Sequence, residues 1–560
     1  MAASEPKKVP YVLDLSALGV IEGLSYISQT PTTPSDNYPY PKNLRPRVLC
    51  HYFGGIPYAL PPVGPYRFKK PRALPSCYRY GTHSNPGRFN GGTGVCPQPT
   101  VEENVWEEDC LQVNIWIPGG QPPKGGWPVF IYIHGGFLQF GTANGGDLSA
   151  LLSETNFGAI IVKPAYRLNL FGFLASEELL AESPNAPDFN VGFWDQRLAL
   201  EWTYKNISYF GGNAGNITVA GYSAGSHSTF QQLQYDLYLP TDKSIIRRAV
   251  MWSNGPGVQP HTLIERQEQF NELLTKLSIP LSLTATEKMA RLRALPMKAL
   301  VDANNSMALH EFRAVTDNAF ISSHLFTSIC SGDFAQRMRD RGVEIITGEC
   351  RDEHFVYESW RTPDARTQSY RKTFDRLQGD YPLSVVRVIM QHYSPDGKLP
   401  KGCKDWNDAF GRIYADTQIH NMERGFVDCL DKFGAGDLVH RYRVEWRAQC
   451  ADTSWPREWG VTHGTDIVLW LWGEGRGEGL TEKEKGLVKT WMHDAFCDFV
   501  HGKDIRTKWG THGPQEVRRI KPSGETDIWK DKEMWENGLE VWHKLKEAGC
   551  LGETQAKAKL

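Results

Sequence analysis

The sequence predicts an α/β fold: a large central mixed, mostly parallel sheet flanked by helices, with long helical insertions. Three observations predict it. Between residues 110 and 235, strand-like and helix-like runs alternate, as they do where helices cover a parallel or mixed sheet. Within that span a buried-strand run, Ile217-Thr-Val-Ala220, breaks at Gly221-Tyr-Ser-Ala-Gly225 and passes into a helix-forming stretch, Ser226 to Leu233. Further on, after a long helical stretch, the strand-like runs Val343–Thr347 and His440–Trp446 each lead into a loop that carries ionisable residues.

In chain order, short strand-like runs come first, at Pro10–Leu15 and Val48–Phe53. Gly54 to Gly64 is dense in glycine and proline and reads as a loop. Leu111–Ile117 and Val129–Ile133 read as strands, the second ending in the glycine turn His134-Gly-Gly-Phe137. Ile160 to Ala165 is another strand. Asp195–Asn206 is a helix on which Leu198, Leu200 and Trp202 supply the apolar contacts. Residues 260–345 read as mostly helical, and Thr284-Ala-Thr-Glu287 is a capping box ahead of Met289, Leu292 and Leu295. Ile467–Trp472 is a core strand or helix segment. Ile505 to Ala548 is polar and studded with tryptophan, and no element is assigned there. No internal repeat, low-complexity segment or linker divides the chain. Residues 1–555 therefore read as one domain and 556–560 as a flexible tail.

Composition narrows the class. Of 560 residues 40% are hydrophobic and 22% charged, which is the balance of a soluble globular protein. The net charge of −2 offers no basic surface to nucleic acid or anionic membrane. No apolar run approaches the roughly 18 residues that a bilayer span requires. Met1-Ala-Ala-Ser-Glu-Pro-Lys-Lys8 lacks the apolar region of a signal peptide, so an intracellular chain is expected. The eleven cysteines show no Cys-x-x-Cys spacing, so no zinc site is expected and most thiols should be free. The sequons at Asn206, Asn216 and Asn304 are then chance matches.

Gly221-Tyr222-Ser223-Ala224-Gly225 carries the chemistry. Strand, sharp turn and helix with serine at the centre of Gly-x-Ser-x-Gly form the nucleophile elbow of α/β-hydrolases. The glycines should let the backbone turn while a strained Ser223 presents its hydroxyl. The helix start offers free N–H groups to developing negative charge. Alone the pattern is weak, because roughly 0.3 matches arise by chance in a chain this long. A serine nucleophile also needs a base, and an acid to orient that base. Glu353 follows the strand Val343–Thr347, and His463 follows the strand ending near Trp446, so both order and placement fit. Asp352 is the alternative acid.

Ordered matches then run along nearly the whole chain. They are Phe53-Gly-Gly-Ile-Pro-Tyr-Ala59, Pro61-Pro-Val-Gly64 with Arg67-Phe68, and Glu108-Asp-Cys-Leu-Gln-Val-Asn-Ile-Trp116. They continue with Tyr166-Arg-Leu-Asn-Leu-Phe-Gly-Phe-Leu174, Asn190-Val-Gly-Phe-Trp-Asp-Gln196 and Asn206-Ile-Ser-Tyr-Phe-Gly-Gly212. With these the chain resembles the type-B carboxylesterase/lipase family of α/β-hydrolases, which includes cholinesterases and the adhesion proteins called neuroligins, and in particular its intracellular fungal-type members. The resemblance implies Ser223 as nucleophile, His463 as base and Glu353 as acid. It implies an oxyanion hole from the N–H groups of Gly136, Phe137 and Ala224, and no metal or cofactor. Arg167 with Asp195 and Arg67 with Glu108 resemble the family's structural ion pairs. Cys96 and Cys110 resemble its first disulfide pair; here proximity is expected, without an assured bond. His227 and His354 are read as structural neighbours of the site. The tryptophans mostly serve packing, and some should line an apolar gorge.

Three positions depart from the family pattern. Phe137 stands where a third glycine is usual. Tyr222 replaces a glutamate beside the nucleophile, which argues against cationic, choline-like substrates. His354 follows Glu353 where glycine is usual. The expected activity is hydrolysis of a small-molecule carboxylic ester through an acyl-enzyme. Acyl transfer to an alcohol or amine on the same residues is the alternative, and a non-catalytic, neuroligin-like binding protein the lesser one. The last residues, Ala558-Lys559-Leu560, resemble the Ser-Lys-Leu peroxisome signal and suggest an import receptor as partner, with cytosol the other address. A fluorescent protein fused at the N-terminus should give puncta that vanish when the last three residues are deleted. Diffuse signal from both fusions would refute the peroxisomal address.

Overall fold

The computed structural model describes residues 5–29, 47–308, 310–362 and 364–552. The expected tail, 556–560, lies outside the described residues. Among the described residues thirteen strands build one sheet, twelve of them in a continuous row: β1 (Lys7–Asp14), β2 (Val20–Ile27), β3 (Val48–Pro57), β4 (Gln112–Pro118), β5 (Trp127–Ile133), β6 (Ile160–Pro164), β7 (Gly212–Tyr222), β8 (Arg248–Trp252), β9 (Glu344–Cys350), β10 (Val439–Val444), β11 (Glu516–Ile520) and β12 (Thr526–Lys530). Their order is β1-β2-β3-β4-β6-β5-β7-β8-β9-β10-β11-β12, and the short strand Gly87–Arg88 pairs alongside β2. From β6 to β11 every neighbour is parallel. The flanks, β1 to β4 and β12, are antiparallel. This is the mixed, mostly parallel sheet of the α/β-hydrolase fold.

The central strands are buried on both faces, and β5 and β8 read as nearly continuous apolar runs for that reason. Val129, Ile131 and Ile133 of β5 join the core on one side, and Phe130 and Tyr132 the core on the other. The same period of two places Ala249 and Met251 of β8 on the first face and Val250 and Trp252 on the second. The principal helices are α1 (Val191–Asn206), α2 (Ala224–Tyr238), α3 (Leu263–Lys276), α4 (Ala285–Ala294), α5 (Met297–Ser306), α6 (Tyr370–Asp380), α7 (Trp406–Ala415), α8 (Asn421–Lys432) and α9 (Glu533–Glu547). α4 starts at the expected capping box, with Thr284 N–H donating to Glu287 Oε2 at 2.9 Å and Glu287 N–H to Thr284 Oγ1 at 3.3 Å.

Several expectations change. Gly54–Pro57 is strand, not loop: the segment stays on β4 through a register shift between Phe53 and Ile56, which absorbs the glycines. The polar stretch from Ile505 holds β11, β12 and α9. β12 is an edge strand with alternating exposure, and charges such as Asp527, bonded to Arg519 at 2.7 Å, mask its pattern. Ile467–Trp470 is a short helix. Cys96 and Cys110 are joined as a disulfide with Cα atoms 5.5 Å apart, beyond the proximity expected from compartment alone. No other disulfide joins the described residues.

Two ion-pair systems hold the frame around the elbow. Asp195 of α1 accepts from Arg167 Nε at 2.8 Å, Nη2 at 2.6 Å and N–H at 3.0 Å, with both side chains buried. Removing one partner strands a buried charge. Asp195→Asn should therefore cost about 3–5 kcal/mol, seen as a lower Tm or poor expression. A well-folded variant without activity would instead give Asp195 a direct chemical role. Arg67 bonds Glu108 and the carbonyls of Arg293 and Leu295, tying the end of α4 to the N-terminal half.

Beneath the Glu353 loop, Glu349 of β9 accepts from Arg424 at 2.9 and 3.0 Å and from Arg443 and His420. Burial works to raise the Glu349 carboxyl, but these cations outweigh it and hold the group well below the ordinary carboxylate range. Burial works against the charge on His420, yet Glu349 lifts it above its usual value. The Glu349 contribution to stability is complete above its unfolded value of about 4.3 and is lost as pH falls through the folded one. The His420 contribution is complete below about 6.5 and is lost as pH rises through the folded value. The Tm lost in a His420→Gln variant should therefore be larger at about pH 6 than at about pH 9; an equal loss at both would contradict this balance.

Candidate active site

Ser223 stands between β7 and α2, at the carboxyl end of a central parallel strand, where such sheets leave room for ligands. It holds φ 60° and ψ −125°, a strained conformation for a non-glycine residue. The flanking glycines serve by size, not by φ. A Cβ on Gly221 would sit 2.1 Å from the Gly225 oxygen, and one on Gly225 would sit 2.0 Å from the Ile133 oxygen. The turn itself falls on the serine.

His463, in the loop after β10, approaches from the side. Its Nε2 lies 2.8 Å from Ser223 Oγ and its Nδ1 2.6 Å from Glu353 Oε2. Glu353 follows β9, and its Oε1 accepts the Cys350 N–H at 2.7 Å. All three residues are buried. The rings of Tyr222 and Tyr357 pack on His463, with centroids 4.8 and 5.0 Å away. Asp352 faces elsewhere: it bonds Arg351 at 2.8 Å and the Val461 N–H at 2.9 Å. Asp466 is a further buried acid that the sequence reading passed over. Burial, then Glu353, raises it to about 6, and it accepts the Tyr442 hydroxyl at 2.7 Å.

The loop His134–Phe137 lies against the elbow, so closely that a Cβ on Gly135 would meet Ser223 Cβ at 2.9 Å. The N–H groups of Gly136, Phe137 and Ala224 donate to no loop carbonyl among the described residues. Phe137 takes φ 58°, the conformation a third glycine would adopt without cost. Its surroundings hold it there. The ring stacks on Trp360 at 5.0 Å and stands edge-on to Tyr357 at 5.8 Å, while Arg313 and Gln139 donate to its carbonyl. Tyr166 caps the loop from behind, donating to the His134 carbonyl at 2.8 Å.

A pocket of about 680 Å³, part of it open to solvent, lies over Ser223. Leu138, Val258, Ala314 and Pro382 supply apolar lining, and His227, His261, Arg313, Asp380, Tyr414 and Gln418 polar lining. Burial drives His227 down to about 4, and it stands as a neutral ring 3.2 Å from the Gly255 carbonyl.

A profile of the carboxylesterase family matches residues 42–536. The chain belongs to the carboxylesterase family. A carboxylic ester hydrolase of Gibberella moniliformis is 48% identical over 560 residues, covering 98% of each chain. An uncharacterized esterase/lipase of Schizosaccharomyces pombe is 38% identical, over 97% of this chain and 98% of that one. A mouse cholinesterase is 28% identical, over 80% of this chain and 75% of that one. In fold, the crystal structure of Aspergillus niger EstA superposes with a TM-score of 0.73 at 20% identity, over 96% of this chain and 99% of that one.

Within this carboxylesterase the polar half of the pocket is what sequence reading missed. Gln418 lies on a π-helical turn, Asp416–His420, between α7 and α8, which shifts the register that a helical period would give. Arg313 and Asp380 are far from any motif, and only their convergence in space marks them. Among the described residues one group could offer ligand atoms to a cation: His354, Glu358 and Asp408, within 4.8 Å of one another. Asp408, however, already accepts from Arg412 at 2.7 Å and from the Lys404 N–H at 2.8 Å. Burial, then Asp408, raises Glu358 to about 7, so the two carboxyls can share a proton instead. Among the described residues no helix is long and apolar enough to cross a membrane.

Proposed function

We propose that residues 1–555 form one serine esterase domain that cleaves a small-molecule carboxylic ester through an acyl-enzyme. The observation that carries this is His463 held between Ser223 Oγ and Glu353 Oε2, at 2.8 and 2.6 Å. Glu353 accepts from Nδ1–H and so leaves Nε2 to accept the serine proton. Ser223 attacks the ester carbonyl as His463 takes that proton, and the N–H groups of Gly136, Phe137 and Ala224 receive the oxyanion. The tetrahedral adduct collapses, His463 returns the proton to the leaving alcohol, and the acyl group stays on Ser223. Water, activated by the same imidazole, then releases the acid. The Tyr357 hydroxyl lies 3.3 Å from His463 Nε2, and burial, then Glu353, raises it well above its usual value, so it stays neutral beside the imidazole.

p-Nitrophenyl esters of rising acyl length, each assayed with and without an added alcohol, test the reading. Ping-pong kinetics with free acid as the product are expected. Transfer of most of the acyl group to the alcohol would make the protein an acyltransferase on the same residues. An import receptor that reads Ala558, Lys559 and Leu560 belongs to the same proposal and is tested by the tail deletion.

A further inference from the structure

Arg313 lines the Ser223 pocket at the centre of a buried charged cluster. Its Nε donates to Asp380 Oδ1 at 2.8 Å, its Nη2 lies 3.3 Å from Glu311 Oε2 and 3.4 Å from the Tyr414 hydroxyl, and its Nη1 holds the Phe137 carbonyl. Behind it Arg376 bonds the other Asp380 oxygen, and Arg361 lies 3.4 Å from Glu311. Arg266 completes the set, donating to His261 Nδ1 at 3.0 Å, to Gln269 at 3.2 Å and to the Glu311 carbonyl at 3.3 Å, with no ion pair among the described residues. Its Nε is buried and has no acceptor. Four guanidiniums thus face three carboxylates, Glu311, Asp380 and Glu265. Glu265, in the capping box of α3, is the third carboxylate and acts on Arg266. Burial, then Arg313, lowers Arg266 to about 10, which still leaves it charged at neutral pH. Both lining histidines are held neutral by burial, so neither offsets the balance.

An excess of one buried positive charge is costly without a counter-charge. The open side of the cluster is the pocket, where Arg313 reaches the surface beside the oxyanion loop. We propose that this pocket selects esters whose acyl half carries a carboxylate, the half-esters of short dicarboxylic acids, with Arg313 as the residue that receives the anion. The apolar lining from Leu138, Val258, Ala314 and Pro382 suits the few methylenes between the two acid groups. The acyl half stays tethered to Ser223 through both half-reactions, so its charge is held throughout. The proposal rests on the Ser223 esterase reading, and its test separates the two.

The 4-methylumbelliferyl half-ester of adipate and the hexanoate ester share a leaving group and a chain length. With spontaneous hydrolysis subtracted, kcat/KM should be about tenfold or more higher for the adipate, mostly through KM, and the advantage should shrink with added salt. Arg313→Gln should collapse that ratio to one or below, and Arg313→Lys should restore part of it. The ratio is the readout, because Arg313 also steadies Phe137 and both rates will fall. Should the variants not fold, wild-type protein suffices: free adipate, unlike hexanamide, should slow fluorophosphonate labelling of Ser223. Equal or better turnover of the hexanoate, with no protection by adipate, would overturn the anionic pocket and leave the esterase. No turnover of either ester and no labelling of Ser223 would overturn both.

Discussion

Ser223→Ala should lower kcat by on the order of 10⁵- to 10⁶-fold while leaving substrate binding and the melting temperature close to those of the parent. On the proposed route Ser223 is the nucleophile, and no neighbouring group can take its place. His463 then has no hydroxyl to deprotonate, and only binding and the oxyanion donors remain. The fold should tolerate the change. The Ser223 hydroxyl bonds His463, and alanine meets the same strained φ of 60° that serine already accepts. The expected rate falls to a residue still well above that of water. Stopped assays over hours, with protein purified away from host esterases, measure it. Turnover within tenfold of the parent would remove Ser223 from the mechanism.

Glu353→Gln should cost roughly 10⁴-fold in kcat. A glutamine at 353 can still accept the Cys350 N–H through its amide oxygen. Its amide nitrogen, however, cannot take a proton donation from Nδ1 of His463. The ring would adopt the wrong tautomer, with Nε2 protonated toward the serine. Asp352→Asn is the control. It weakens a partly exposed pair with Arg351 while keeping an acceptor for the Val461 N–H, so less than about 1 kcal/mol of stability should go and activity should stay within a few-fold. If Asp352→Asn proves the more damaging, the acid has been assigned to the wrong residue and the 2.6 Å contact of Glu353 is structural.

What was legible in the sequence had local signatures. Gly221 to Gly225 needs small residues because backbone passes within contact of backbone, and that demand shows as glycine spacing. Glu353 and His463 each follow a strand-like run, so order and placement pointed to them. The central strands showed because both of their faces are buried. β12 did not, because its partly exposed, charged positions look like loop. Arg313, Asp380 and Gln418 lacked any local signal: they come from an insertion, a helix end and a π turn, and meet only in the folded chain. Cys96 and Cys110 were paired by family resemblance, yet the bond between them could not be read from a cysteine count.

The central claim is that Ser223 is the nucleophile and that His463 activates it. The most direct measurement is fluorophosphonate labelling of the parent protein, Ser223→Ala and His463→Ala, followed by mass mapping of the adduct. The account predicts a single adduct on Ser223 in the parent, none in Ser223→Ala, and labelling slowed by several orders of magnitude in His463→Ala. An adduct on another residue, or labelling of Ser223 at the parental rate without His463, would contradict it.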